Sequence, residues 1–166
     1  MAILKSLNEN IYFEIQLGEI SYIASEKWQN VNLNFNSLWH SLNIKSYPNN
    51  ENHLSYLKDQ NQVKITNTGT LVLCLSPENE ITNLSINIDK LLNQEIKKLS
   101  FEPLEPSFEL NIKLNDALLE SYIVEVWLDL TNFLYGFYLG DAIGSRFYTN
   151  KDNIKQFKHE LLTSLD

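Results

Sequence analysis

Glu125, Trp127 and Asp129 stand at alternate positions of Tyr122-Ile123-Val124-Glu125-Val126-Trp127-Leu128-Asp129-Leu130. In an extended strand alternate side chains share a face, so two acids flank an indole on one side. Tyr122, Val124, Val126, Leu128 and Leu130 take the other. Paired carboxylates are the machinery of glycoside hydrolysis and other acid–base chemistry. Four residues of strand separate these two by roughly 13 Å, too far for a glycosidase pair, so a cross-strand acid such as Glu109 would have to complete one. The same residues suit a second use, as an indole anchor with acids around it that meets a partner. If another layer covers that face, Trp127 is core instead.

Other chemistries lack their residues. His40, His53 and His159 lie far apart, and no His-x-x-His, Cys-x-x-Cys or His-Glu-x-x-His spacing occurs, so no metal site is expected. Cys74 lies in the apolar run Leu71-Val72-Leu73-Cys74-Leu75 and reads as a small core residue, not a thiolate nucleophile. Five glycines build no nucleophile elbow, phosphate loop or dinucleotide fingerprint, and no cofactor is implied. The expectation is a protein that is not an enzyme.

Charge points to a partner. The net charge is −8, and between Glu102 and Asp141 eight acids (Glu102, Glu105, Glu109, Asp116, Glu120, Glu125, Asp129, Asp141) face Lys113 alone, so this stretch carries −7. Arg146 is the only arginine. Nucleic acid is therefore an improbable ligand, and a basic protein is a suitable one. No apolar run reaches the roughly 18 residues of a membrane span. Met1-Ala2-Ile3-Leu4-Lys5 has no signal-peptide character, and one cysteine forms no internal disulfide, so the expected compartment is the cytoplasm.

The 166 residues, 43% of them apolar, suit a single domain spanning 1–166. Period-two alternation predicts strands at 11–17, ended by Gly18, and at 28–35. Further strands are expected at 108–114, 122–130 and 143–148. Thr66-Asn67-Thr68-Gly69 predicts a hairpin turn inside 63–75, whose second arm, apolar on both faces, reads as a central strand. Between the 28–35 strand and this segment a polar loop is expected from Pro48 to Asn52. Leu84, Ile86 and Ile88 suggest a strand before a short helix from about Asp89, while Ile81, Leu84, Ile88, Leu91 and Leu92 fit a helix about as well. Gly140-Asp141 predicts a tight turn with glycine at positive φ, and Arg146 is expected to pair with a carboxylate. Thr149 begins a helix-capping pattern, and Ile154, Phe157, Leu161 and Leu165 mark the buried stripe of a closing helix. The fold class is α+β: a mainly antiparallel β-sheet domain with a C-terminal helix and one shorter helix.

In Phe101-Glu102-Pro103-Leu104-Glu105-Pro106-Ser107-Phe108 each proline holds its preceding glutamate in extended conformation. The segment reads as a guarded strand entry and as a rigid acidic ridge. From Leu99 to Leu110 it resembles a signature segment of bacterial WapI-like immunity proteins. In those proteins the segment follows a strand-rich half with a tryptophan strand, as around Trp28, and precedes further strands and a closing helix. The resemblance implies a cytoplasmic antidote that binds a cognate toxin domain, with many such toxins being basic nucleases. The expected partner-binding residues are Glu102, Glu105, Glu109, Glu125, Trp127, Asp129 and Asp141, on a monomer or dimer. The alternatives are a small acid–base hydrolase built on Glu109, Glu125 and Asp129, and a small-ligand-binding module.

Overall fold

The computed structural model describes residues 1–23, 26–38, 42–45, 62–73, 79–104, 107–129 and 142–164. Among them, alternation of apolar and polar side chains generates nine strands in two wholly antiparallel sheets. The first sheet orders β1 (Ala2–Lys5), β2 (Tyr12–Ile23), β3 (Glu26–Leu38) and β5 (Gln62–Val72) side by side. The second runs β4 (Leu42–Lys45), β9 (Ala142–Asn150), β8 (Ser121–Asp129), β7 (Phe108–Asp116) and β6 (Lys98–Phe101). Helices α1 (Glu80–Leu92) and α2 (Lys151–Thr163) complete an α+β domain.

One face of each sheet is apolar, and the two faces form one core. Phe13, Ile15, Leu33 and Phe35 of the first sheet join Leu110, Ile112, Val124, Val126 and Ile143 of the second, all fully buried. Phe13 and Phe108 meet with ring centroids 5.4 Å apart and planes tilted by 47°. Helix α1 adds Ile81, Leu84, Ile88 and Leu91, and α2 adds Ile154, Phe157 and Leu161. Polar bonds also cross between the sheets: Ser37 Oγ donates to Ser145 Oγ at 3.1 Å, and Asn67 Nδ2 donates to the Asp129 carbonyl at 2.8 Å.

The expected hairpin within 63–75 is instead a single strand. β5 pairs with β3 without interruption from Gln62 opposite Leu38 to Val72 opposite Trp28. Its turn-type residues serve tertiary contacts. Asn67 reaches the second sheet, and at Gly69 a Cβ would collide with the Ser107 side chain. Nor is this strand central, since it forms the margin of its described sheet. Leu71, Val72 and Leu73 are all buried because α1 starts beside them, with the Glu80 carboxylate accepting from Val72 N at 2.5 Å and from Leu104 N at 2.7 Å. Cys74 and the 48–52 loop lie outside the described residues.

Three other expectations need adjustment. The strand expected to end at Gly18 continues to Ile23 through an irregularity between Leu17 and Ile20, where Gln29 Nε2 donates to the Gly18 carbonyl at 2.7 Å. The stretch from Glu80 is one helix, not a strand followed by a helix. Asn79 Oδ1 accepts from the backbone of Ile81 at 2.9 Å and Thr82 at 3.2 Å, satisfying the first turn. Ile86, which a strand would bury with Leu84 and Ile88, is 46% exposed. At α2 the cap is Asn150, accepting from Asn153 N at 2.8 Å, one residue beyond the expected Thr149.

Two outcomes follow. Gly69→Ala should lower unfolding free energy by about 2 kcal/mol, because the inserted methyl overpacks the join between the sheets; urea denaturation measures it. Burial holds the Tyr122 phenol above its ordinary pKa of 10.0, with Lys151 opposing and Glu120 adding to the shift. The unfolded chain therefore releases this proton first, and stability falls as pH rises above that value. Urea midpoints across the alkaline range should decline less steeply for Tyr122→Phe than for the parent.

Candidate functional site

The outer face of the second sheet carries the residues with chemistry. Along β8 the even positions Tyr122, Val124, Val126 and Leu128 are buried, whereas Ile123, Glu125 and Trp127 are half-buried on the opposite side. Register then sets their neighbours. Trp127 stands between Glu109 of β7 and Gly144 of β9; Glu125 stands between Asn111 and Arg146; Ile123 stands between Lys113 and Tyr148.

Each contact has a local cause. Gly144 lacks a side chain, and a Cβ there would strike the Trp127 ring and the Val126 carbonyl, so the indole lies against β9. An aromatic side chain covering a cross-strand glycine protects that stretch of backbone and fixes its own orientation. Arg146 Nε donates to Glu125 Oε1 at 2.6 Å, and its Nη2 reaches the same oxygen. The arginine side chain is 65% exposed, so this is a surface pair and worth little to folding. Glu109 Oε1 accepts from Asn111 Nδ2 at 2.6 Å, and Ser100 Oγ bonds Asn111 Oδ1. Lys113 and Lys98 lie opposite each other further along the face. A shallow cleft of about 160 Å³ opens between Glu125, Trp127, Ser145 and Arg146.

The expected site residues are thus partly assembled. Glu109, Glu125 and Trp127 are neighbours on one face. Glu102 is exposed at the end of β6, ahead of the buried Pro103. Asp129 shares the parity of Glu125 and Trp127 but is only 5% exposed, so it is not presented to a partner as expected. It sits where the two sheets meet: its backbone N–H donates to the Ser107 carbonyl at 3.1 Å and its carbonyl accepts from Asn67. Glu105, Asp141 and Gly140 lie outside the described residues. Of the three acids considered for hydrolysis, Glu109 and Glu125 share the outer face, Glu125 lines the cleft, and Asp129 is buried at the join between the sheets. Among the described residues no group of three or more His, Cys, Asp or Glu side chains is placed to hold a metal, and no helix is long and apolar enough to cross a membrane.

The carboxylate that Arg146 was expected to find is supplied by Glu125, and the acidic face is more mixed than net charge suggested, because Arg146, Lys113 and Lys98 share it. Sequence reasoning missed Leu118 and Leu119, which are 95% and 75% exposed on the turn between β7 and β8. Their signal was available: two leucines directly follow Asn115-Asp116-Ala117, where a turn calls for polar residues.

Arg146→Leu should change unfolding free energy by less than about 1 kcal/mol, as a solvated pair predicts. A thermal melt checks it; a loss of several kcal/mol would show that the pair supports the fold.

Comparison with family models, with curated proteins and with solved structures found no match to this chain.

Proposed function

We propose that this chain is an immunity protein of the WapI-like kind, which neutralises a cognate toxin domain by covering its active cleft with the outer face of the second sheet. The partner is a basic protein, in the first instance a nuclease, and the immunity protein acts in the cytoplasm as a monomer or dimer, without cofactor or catalysis. The observation that carries this reading is the adjacency of Glu109, Trp127 and Glu125, all half-buried, on the outer face of the second sheet. A preset indole slows dissociation, while the net charge of −8 draws a cationic partner to the chain and Glu109 and Glu125 offer it carboxylates beside Trp127, among the bases Arg146, Lys113 and Lys98 of the same face. The resemblance of Leu99–Leu110 to the immunity-protein segment supports the same reading. So does the concentration of −7 of the net −8 between Glu102 and Asp141. For a small acid–base hydrolase or ligand-binding module, the cleft beside Trp127 is small against the roughly 300 Å³ at which ligand pockets begin.

Co-expression with the toxin domain encoded beside this gene should restore growth, and the purified proteins should associate more slowly as salt rises. Glu109→Lys with Glu125→Lys should lower the association rate about tenfold at low salt. Trp127→Ala should act chiefly on dissociation, and charge reversal at Glu9 and Glu26 should change neither rate appreciably. If the unaltered chain neither binds nor protects, the immunity reading fails. If only the Glu9 and Glu26 variants lose protection, the function stands and the face is wrong.

A further inference from the structure

On the outer face of the second sheet, register sets two lysines directly against each other. Lys98 on β6 is opposite Lys113 on β7, while the next pair, Leu99 and Ile112, faces the core. Both lysines are exposed, and neither forms an ion pair among the described residues. Directly opposed like charges destabilise a pair of strands, so this arrangement does not serve folding. A lysine on an edge strand keeps that edge from pairing, which accounts for Lys98 alone, because Lys113 stands one strand in. The acids of the face leave both lysines unneutralised. Glu109 Oε1 accepts from Asn111 Nδ2 at 2.6 Å, and Glu125 is held by Arg146. Along β7 the face therefore changes sign, from Glu109 past Asn111 to Lys113, over roughly 13 Å.

We propose that Lys98 and Lys113 form a second recognition point, which receives an aspartate or glutamate side chain of the toxin domain. The inference rests on the immunity reading and deepens it, by adding an acid to the surface that a basic partner must present. Charge selects this occupant. Two ammonium groups on opposed residues, with Cβ atoms about 5 Å apart, can donate to the two oxygens of one carboxylate. Binding that carboxylate also relieves the repulsion between them. A polyanion does not fit. A nucleic-acid backbone or an anionic membrane extending past Lys113 meets Glu125 and then Glu109, on a chain of net charge −8. A protein surface carries isolated acids among its bases and has no such conflict. The sign change also orients the partner, because a toxin domain turned end for end would set acid against acid and base against base.

The test measures binding kinetics of the toxin domain encoded beside this gene, inactivated by substitution, against the parent chain and three variants. K98E/K113E takes the net charge from −8 to −12, since each substitution removes a positive charge and adds a negative one. Long-range steering alone would then make association with a basic partner as fast or faster. Contact through the lysines requires a different result, dissociation at least about tenfold faster than for the parent. K98R/K113R, which keeps both charges, should dissociate within about twofold of the parent. K98E alone sets opposite charges across the strands, so it should melt at or above the parental temperature while dissociating faster, a split that a structural role does not give. Carbodiimide coupling, which joins an amine to a carboxylate in direct contact, should link Lys98 or Lys113 to an acid of the toxin domain. Equal dissociation of K98E/K113E and the parent, or coupling only at other lysines, would overturn the proposal and leave the immunity reading standing. If the parent does not bind at all, both fall. Retention of a single-stranded oligonucleotide by the parent, but not by K98E/K113E, would make phosphate the occupant and also overturn it.

Discussion

Phe13 and Phe108 meet ring to ring where the two sheets face each other, and every neighbouring assignment follows from that meeting. Once these rings are inside, the period of two along each strand sends Ile15, Leu33, Val124 and Val126 inward as well. Glu125 and Trp127 are sent outward by the same rule. A slip of one residue in β8 would reverse all of them at once, burying Glu125 and exposing three valine or leucine side chains. Burial of so much apolar surface therefore determines indirectly which side chains the outer face of the second sheet presents, through residues that lie inside it.

The sheets also meet through polar groups, and these specify how they are aligned. The Ser37–Ser145 and Asn67–Asp129 bonds each join one sheet to the other inside the protein. A misaligned pair of sheets would leave these groups buried without partners, which costs more than the bonds themselves contribute. Gly69 belongs to the same join, because it leaves room for Ser107. Asp129 marks the boundary: it ends the strand that carries Glu125 and Trp127, yet lies within the join between the sheets.

Alternation made β2, β3, β7, β8 and β9 legible in the sequence, and three-to-four spacing did the same for α2. Segments with two uses were not legible. Thr66-Asn67-Thr68-Gly69 has turn chemistry, and only the opposing sheet gives Asn67 and Gly69 their actual roles within a strand. Leu84, Ile86 and Ile88 satisfy a strand pattern, and the Asn79 cap together with the exposure of Ile86 distinguishes the helix. Within the candidate site, parity on β8 was readable for Glu125 and Trp127. The Arg146 partner, the Gly144 seat of the indole and the burial of Asp129 depended on cross-strand register and sheet packing. Leu118 and Leu119 ran against the ordinary rule for turns, and a departure from a local rule without structural benefit is a reason to look for function.

The central proposal is that recognition takes place on the outer face of the second sheet, and cross-saturation between the labelled chain and the toxin domain proposed as its partner tests it most directly. The Trp127 indole proton and the Ile123 methyl groups are predicted to lose signal when the toxin domain is irradiated. The Ile20 methyl groups, 46% exposed on the first sheet, should keep theirs. Saturation of Ile20 with Trp127 and Ile123 untouched would contradict the account and place recognition on the first sheet.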